Sequence, residues 1–237
     1  MWLSTPVYVL KRQAKLLARQ TDTPLNQALD KVASGQGYQS WSHLAATLKN
    51  ESPARELLSQ LKPGDLCLVG ARPSQGKTLL GLELAARASR VGRKSFFFTL
   101  DYHERDVADR FASMGIARHA VEHTVVVDTS DDVSADYIIR RLRSEQGPTL
   151  VVVDYLQLLD QKRTNPSLND QLRVLCNYAA DTGSNCVVLS QIDRRFDMGS
   201  KRMPGKSDIR APNPIDLSAF GKFVFLHNGK LQFDQAA

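Results

Sequence analysis

Gly76, Lys77 and Thr78 stand where an apolar run, Leu66–Gly70, gives way to the helical pattern Leu79–Ala85. Strand, small-residue loop and helix in that order suit a polyphosphate. Bare backbone N–H groups and the positive end of the helix both face the loop Ala71-Arg72-Pro73-Ser74-Gln75-Gly76-Lys77-Thr78. Lys77 supplies a cation that reaches the β- and γ-phosphates of a nucleotide, and Thr78 offers its hydroxyl to Mg²⁺. Against the pattern G-x-x-x-x-G-K-[ST], the first glycine position is Ala71, with Gly70 one place early. The plainer reading, a glycine-rich turn before a helix, gives no reason for the Lys-Thr pair.

Three more apolar runs end in polar residues suited to the same chemistry. Val151-Val152-Val153 ends in Asp154. Ligands of open parallel sheets bind at the carboxyl ends of the strands, so Asp154 is placed to hold the Mg²⁺ hydration shell near Thr78. A turn or cap aspartate is the alternative. Ser95–Leu100 ends in Asp101, the candidate that orients and deprotonates an attacking water, with Glu104 as substitute. Capping the next helix is its alternative role. Val187–Ser190 ends in Gln191, whose neutral amide can donate to the γ-phosphate and sense it; an ordinary polar strand end is the alternative.

After Gln191 comes a stretch rich in Gly, Pro and Ser with Arg194, Arg195, Lys201, Arg202, Lys206 and Arg210 against Asp193, Asp197 and Asp208, a balance of +3. It reads as a mobile basic loop that contacts nucleic-acid phosphates without regard to sequence, or else as a solvated charge run.

These residues need a scaffold. Strands are predicted at 65–70, 95–100, 123–128, 149–154 and 185–190, and helices at 77–90, 104–115, 134–145 and 167–181. Continuously apolar strands alternating with helices make a parallel α/β sheet buried on both faces. Phe223–Phe233 reads as a hairpin about Asn228-Gly229.

Residues 1–50 are helical in pattern, with stripes Val7, Leu10, Leu17, then Leu25, Ala28, Leu29, Val32, then Trp41, Leu44, Leu48, the last helix capped by Ser40. Six cations (Lys11, Arg12, Lys15, Arg19, Lys31, Lys49) against Asp22 and Asp30 make this module +4. It suits docking on another protein, with nucleic-acid binding as the alternative. Asn50–Arg55 reads as a linker and Glu56–Leu61 as a short helix, so the domains are 1–50, a 51–60 connection and 61–237.

The chain of 237 residues is long enough for one α/β domain and a small appendage. No apolar run reaches the ~20 residues needed to span a bilayer, and no cleavable leader pattern opens it; a cytoplasmic protein is expected. Cys67, Cys176 and Cys186 sit apart among apolar neighbours and read as buried thiols. The net charge of +6 permits a polyanionic partner.

Taken together, these motifs resemble a known family. Leu61–Thr78, with its Ala-Arg-Pro-Ser loop, is similar to the phosphate-loop region of DnaB-type replicative helicases. Val153–Leu159 resembles their second nucleotide motif, Leu189–Arg194 their sensor strand, and Pro204 with Ser207–Arg210 their central DNA-contacting loop. The resemblance implies a RecA-like phosphate-loop fold and an ATP-dependent motor. It further implies a homo-oligomeric ring, hexameric in the family, around single-stranded DNA.

The chain departs from the family in places. Asp101-Tyr102 stands where the family has Glu-Met, Ala211-Pro212-Asn213-Pro214 follows Arg210 in place of Glu-Ser-Gly, and the tail keeps only Lys222 and Lys230 as cations. Lys230 is the candidate for reaching a neighbour's nucleotide. These departures leave open an alternative function, a nucleotide-binding regulator or adaptor of replication with weak hydrolysis.

Overall fold

The computed structural model describes residues 7–50, 52–210 and 213–235. The chain divides into two compact units, Met1–Arg55 and Glu56–Ala237.

The first unit holds helices α1 (Val7–Thr21), α2 (Leu25–Gly35) and α3 (Trp41–Asn50). Leu10, Ala33, Tyr38 and Leu44 form its core, with Val32 and Trp41 packed against it. Ser40 caps α3 as expected, its Oγ accepting from His43 N at 3.0 Å. Asp30 secures the same helix start by accepting from Trp41 N at 2.8 Å. Leu25 is 44% exposed, unlike the expected stripe, because it opens α2 directly after Pro24 and the inward face begins at Ala28. The side chains of Val7, Leu48 and Lys49, and all of Glu51, lie outside the described residues.

Helix α4 runs Pro53–Gln60, so the expected linker 51–60 is mostly helix. Proline is pre-set for the first helical position, and Ser52 Oγ accepts from Arg55 N at 3.2 Å. Those two residues start the helix three positions before the expected Glu56.

In the second unit, β1 (Leu66–Ala71), α5 (Lys77–Arg90), β2 (Ser95–Thr99), α6 (Glu104–Ser113), β3 (Val125–Asp128), α7 (Ala135–Leu142), β4 (Leu150–Asp154), α8 (Leu168–Thr182) and β5 (Asn185–Gln191) alternate along the chain. A hairpin of β6 (Lys222–His227) and β7 (Lys230–Gln235) follows. One sheet results, in the order β3-β2-β4-β5-β1-β6-β7. Its pairs are parallel apart from β6 with β7. The expected strands hold to within two residues. Helix α7 is shorter than the expected 134–145: Ser134 is its cap, accepting from Tyr137 N at 3.2 Å, and the helix ends at Leu142, three residues before the expected end.

Helix α5 lies tight on the sheet through Gly81. A Cβ there would come within 2.9 Å of Leu189 and 3.1 Å of Phe97 and Val152. No described helix is long and apolar enough to cross a membrane. Cys67 and Cys186 are buried, and burial pushes both thiols up to about 12; Cys176 is half-buried.

Gly81→Val should cost about 2–3 kcal/mol of stability by overpacking. Urea denaturation checks this, and an unchanged midpoint would mean that α5 does not sit where it is described.

Candidate functional site

Strand alternation assembles the site. Gly81 of α5 meets Phe97, Val152 and Leu189. Two residues further along each strand, on the same face, come Thr99, Asp154 and Gln191. Thr99 is level with Asp154, Asp154 with Leu189, and Gln191 with Ala71 at the end of β1. The carboxyl ends of four neighbouring strands therefore meet the start of α5.

The loop that joins β1 to α5 is bent by two residues in the left-handed region, Ser74 (φ 64°) and Gly76 (φ 86°). A Cβ on Gly76 would meet nothing within 4 Å, so its backbone angle and not crowding calls for glycine. Gly70 is constrained the other way. Its Cβ would press on Ile192 at 2.9 Å and Phe225 at 3.0 Å.

Lys77 opens α5 and its Nζ forms an ion pair with Asp154 Oδ1. Asp154 is fully buried, and a buried carboxylate is tolerated only when paired. Lys77 Nζ also lies 5.3 Å from the centroid of the Tyr155 ring. Asp154 Oδ2, also buried, has no hydrogen-bond partner among the described residues. That orphaned oxygen is what a cation-binding carboxylate needs. No group of three or more His, Cys, Asp or Glu converges for a metal among the described residues. Magnesium in a phosphate site takes one or two carboxylates and completes its shell with phosphate and water, so the donor set fits it.

Asp101 follows β2, with its backbone N–H donating to Thr99 Oγ1 at 3.2 Å. Burial and the nearby Asp154 carboxylate raise its pKa above the ordinary 3.8, with Lys77 opposing. The alternative capping role falls to other residues. His103 occupies the cap position of α6, and Asp106 accepts from His103 N at 2.9 Å.

Gln191 ends β5. Its side-chain oxygen accepts from Arg210 Nη1 at 3.1 Å, while its main-chain carbonyl accepts from Arg210 N at 2.8 Å. The amide NH₂ remains as the donating end.

The segment expected as a mobile basic loop has defined structure. Ile192 and Ile209 bridge antiparallel at its base, and Asp193 N donates to Asp208 O at 2.8 Å. Two of its acids take up two of its cations. Arg195 pairs with Asp193 at 3.2 Å and Lys201 with Asp208 at 3.0 Å. Lys206 is half-buried, 4.5 Å above the Phe223 ring, so it is not the outward cation the sequence suggested. Arg194, Arg202 and Arg210 are exposed. Arg72, Asp193, Arg194 and Arg210 line one polar cavity. Ala211 and Pro212 lie outside the described residues.

Two ties not foreseen from sequence leave the phosphate loop. Arg72 donates from Nε and Nη2 to Asp197 Oδ2 at 2.9 and 2.6 Å, and from Nη1 to Ile192 O at 2.9 Å. Gln75 Oε1 accepts from Asn228 N, in the β6–β7 turn, at 2.7 Å. Asp197 carried no signal beyond being an acid in a basic stretch. Of the two tail cations, Lys222 is buried against Asp65 at 3.1 Å, while Lys230 is exposed beside the hairpin turn.

The raised Asp101 has a consequence for stability. A carboxyl that holds its proton more tightly when folded contributes stability below pH 3.8 and loses it as pH rises through the folded value. Asp101→Asn should therefore match the parent in acid and exceed its melting temperature at neutral pH. A neutral-pH melting temperature at or below the parent's would contradict the burial of this carboxyl and its crowding by Asp154.

Comparison with known proteins agrees with this geometry. The family model described as the DnaB-like helicase C-terminal domain matches residues 55–135 and 115–231. The chain is 27% identical over 203 residues to the replicative DNA helicase DnaB of Leifsonia xyli, covering 73% of this chain and 44% of that protein. It is 26% identical over 207 residues to the DnaB of Mycoplasma genitalium, with the same coverage. The chain thus spans less than half the length of these relatives. Among solved structures, a DnaB-like replicative helicase studied for its interactions with primase superposes with a TM-score of 0.60 at 19% identity, covering 92% of this chain and 66% of that one. The expected RecA-like fold is shown by these neighbours.

Proposed function

Since this chain belongs to the DnaB-like helicase C-terminal domain family, we propose that it binds Mg²⁺·ATP and hydrolyses it to drive movement on, or loading onto, single-stranded DNA. The observation that carries the reading is the buried Asp154, paired with Lys77 through one oxygen and unpartnered at the other, at the amino end of α5.

Residues Ala71 to Thr78 wrap the phosphates with backbone N–H groups, and Lys77 neutralises their charge. Thr78 and Asp154 Oδ2 would hold Mg²⁺, which when bound neutralises charge between the β- and γ-phosphates. Asp101 orients the water and accepts its proton; a carboxyl whose pKa is raised is a better base near neutral pH. Gln191 donates its amide to the γ-phosphate. Because its other end holds Arg210, loss of that phosphate shifts the loop carrying Arg194, Arg195, Lys201, Arg202, Lys206 and Arg210. Exposed Arg194, Arg202 and Arg210 are the foremost DNA contacts, and Lys206 the least accessible. A homo-oligomer, hexameric by family resemblance, would let Lys230 reach a neighbour's nucleotide. Residues 1–50 would dock a replication protein or nucleic acid.

One observation favours a second reading, a regulator that binds nucleotide with little turnover. Asp101 is a methylene shorter than the family's glutamate. A reach deficit of about 1.5 Å can cost ~10²-fold in rate.

An ATPase assay with and without single-stranded DNA, read with native mass, separates the two. DNA-stimulated turnover in an oligomer supports the motor, and tight ATP binding without it supports the regulator. Lys77→Ala should abolish turnover; near-normal rates would refute the site. Asp101→Glu should raise turnover, by up to ~10²-fold if reach is limiting. Arg202→Ala with Arg210→Ala should weaken single-strand binding and flatten its salt dependence, and an unchanged slope would remove the loop from the interface.

A further inference from the structure

Helix α1 carries cations on one side only. Lys11, Arg12, Lys15 and Arg19 are all exposed. At 3.6 residues per turn they fall within an arc of about 100°, and they extend along roughly 12 Å of the axis. The opposite side faces the core, where Leu10 and Ala14 are fully buried. The helix contains no acidic residue. Among the described residues none of the four cations forms a salt bridge with an acid. One of the module's two acids within residues 1–50, Asp30, is committed to the Trp41 backbone. A like-charged row without counter-charge on its own helix is held against self-repulsion. A polyanion relieves it.

We infer that this stripe is a second nucleic-acid site, binding the phosphate backbone independently of the ATP cycle. The pattern fits that partner better than others. A membrane-binding helix inserts its apolar face, but the apolar face of α1 is buried in the module's own core. A protein interface is organised around desolvated anchors and is depleted in lysine, whereas two of these four cations are lysines. Regularly spaced cations on a rigid rod match regularly spaced phosphates on either a duplex or a single strand. Such a site acts as a tether. It keeps the chain at high effective concentration on its track while the catalytic unit binds and releases.

The test uses the full chain with Lys11, Arg12, Lys15 and Arg19 all changed to Gln, which removes charge and keeps helix-forming side chains. Binding to a labelled duplex and to a single strand is followed by fluorescence anisotropy across a potassium chloride series, without nucleotide. Affinity at low salt should fall more than tenfold. The slope of log affinity against log salt should shrink by about 3–4 on duplex, or about 3 on a single strand, if all four cations meet phosphates. An arm whose slope does not change marks a form that the stripe does not bind. The loss should persist with Arg202→Ala and Arg210→Ala present, and basal ATP turnover should be unchanged. Failure of this site is thereby separate from failure of the motor reading. An unchanged slope in both arms, with native circular dichroism, overturns the inference; capture of an acidic protein in place of DNA does the same. If the quadruple variant misfolds, Leu16→Lys serves instead. Leu16 is 49% exposed at the margin of the stripe, so a lysine there should tighten binding several-fold, and no change would count against the site.

Discussion

A carboxylate sealed from water must find a positive charge, and that requirement organises the second unit. Asp154 ends a strand buried along its whole length, and Lys77 is the cation that meets it. For Lys77 to be there, α5 must begin where the phosphate loop turns, which Gly76 permits, and must lie close on the sheet, which Gly81 permits. The pair has a built-in alternative. Lys77 is also the group that a triphosphate would claim, and Asp154 keeps one oxygen unengaged. Removing one partner of a buried pair is costly. In the proposed cycle, phosphate and cation therefore arrive together, each replacing what the other displaces.

The loop above this pair is anchored at two further points. Exposed ion pairs contribute little individually, but Arg72 is mostly shielded and uses three guanidinium nitrogens on two acceptors. Arg72 fixes the spacing between the phosphate loop and the segment after β5, and Gln75 fixes its spacing to the β6–β7 turn. Gln191 and Arg210 form a parallel connection from the strand end to the far side of the same segment. A shift at the phosphate loop thus has two stiff routes to the exposed arginines.

Much of this was legible in the sequence where one chemical demand fixes one residue type. Apolar strand runs, of valine before Asp154 and Gln191 and of phenylalanine before Asp101, together with the Gly-Lys-Thr turn, point to both the sheet and the strand-end groups. The hairpin followed from Asn228-Gly229, which occupy left-handed backbone as such a turn requires. Legibility failed where a residue's fate depends on a distant partner. Nothing local distinguishes Lys206, stacked on Phe223, from exposed Arg202, or marks Asp197 as the acceptor for Arg72. Composition counts the charges of the basic segment and cannot show that Asp193 and Asp208 neutralise two of them at its base. The early start of α4 is readable in principle from Ser52-Pro53, a cap residue followed by a proline suited to the first helical position.

The departure at Asp101 brings two opposing effects to one carboxyl. In the proposed reaction the shorter side chain would hold the base back from the water, while burial and the nearby Asp154 carboxylate, which raise its pKa, would strengthen it as a proton acceptor. Misplacement of about an ångström in that reaction can cost ~10²-fold, so reach is the effect that would hold turnover down. Neighbouring contacts are consistent with a fixed position for this turn. Arg110 stacks on Tyr102 at 4.0 Å, and the His103–Asp106 cap holds the start of α6. The motor and the regulator are then two ends of one scale, on which the distance from this carboxyl to the attacked phosphorus sets where the chain lies.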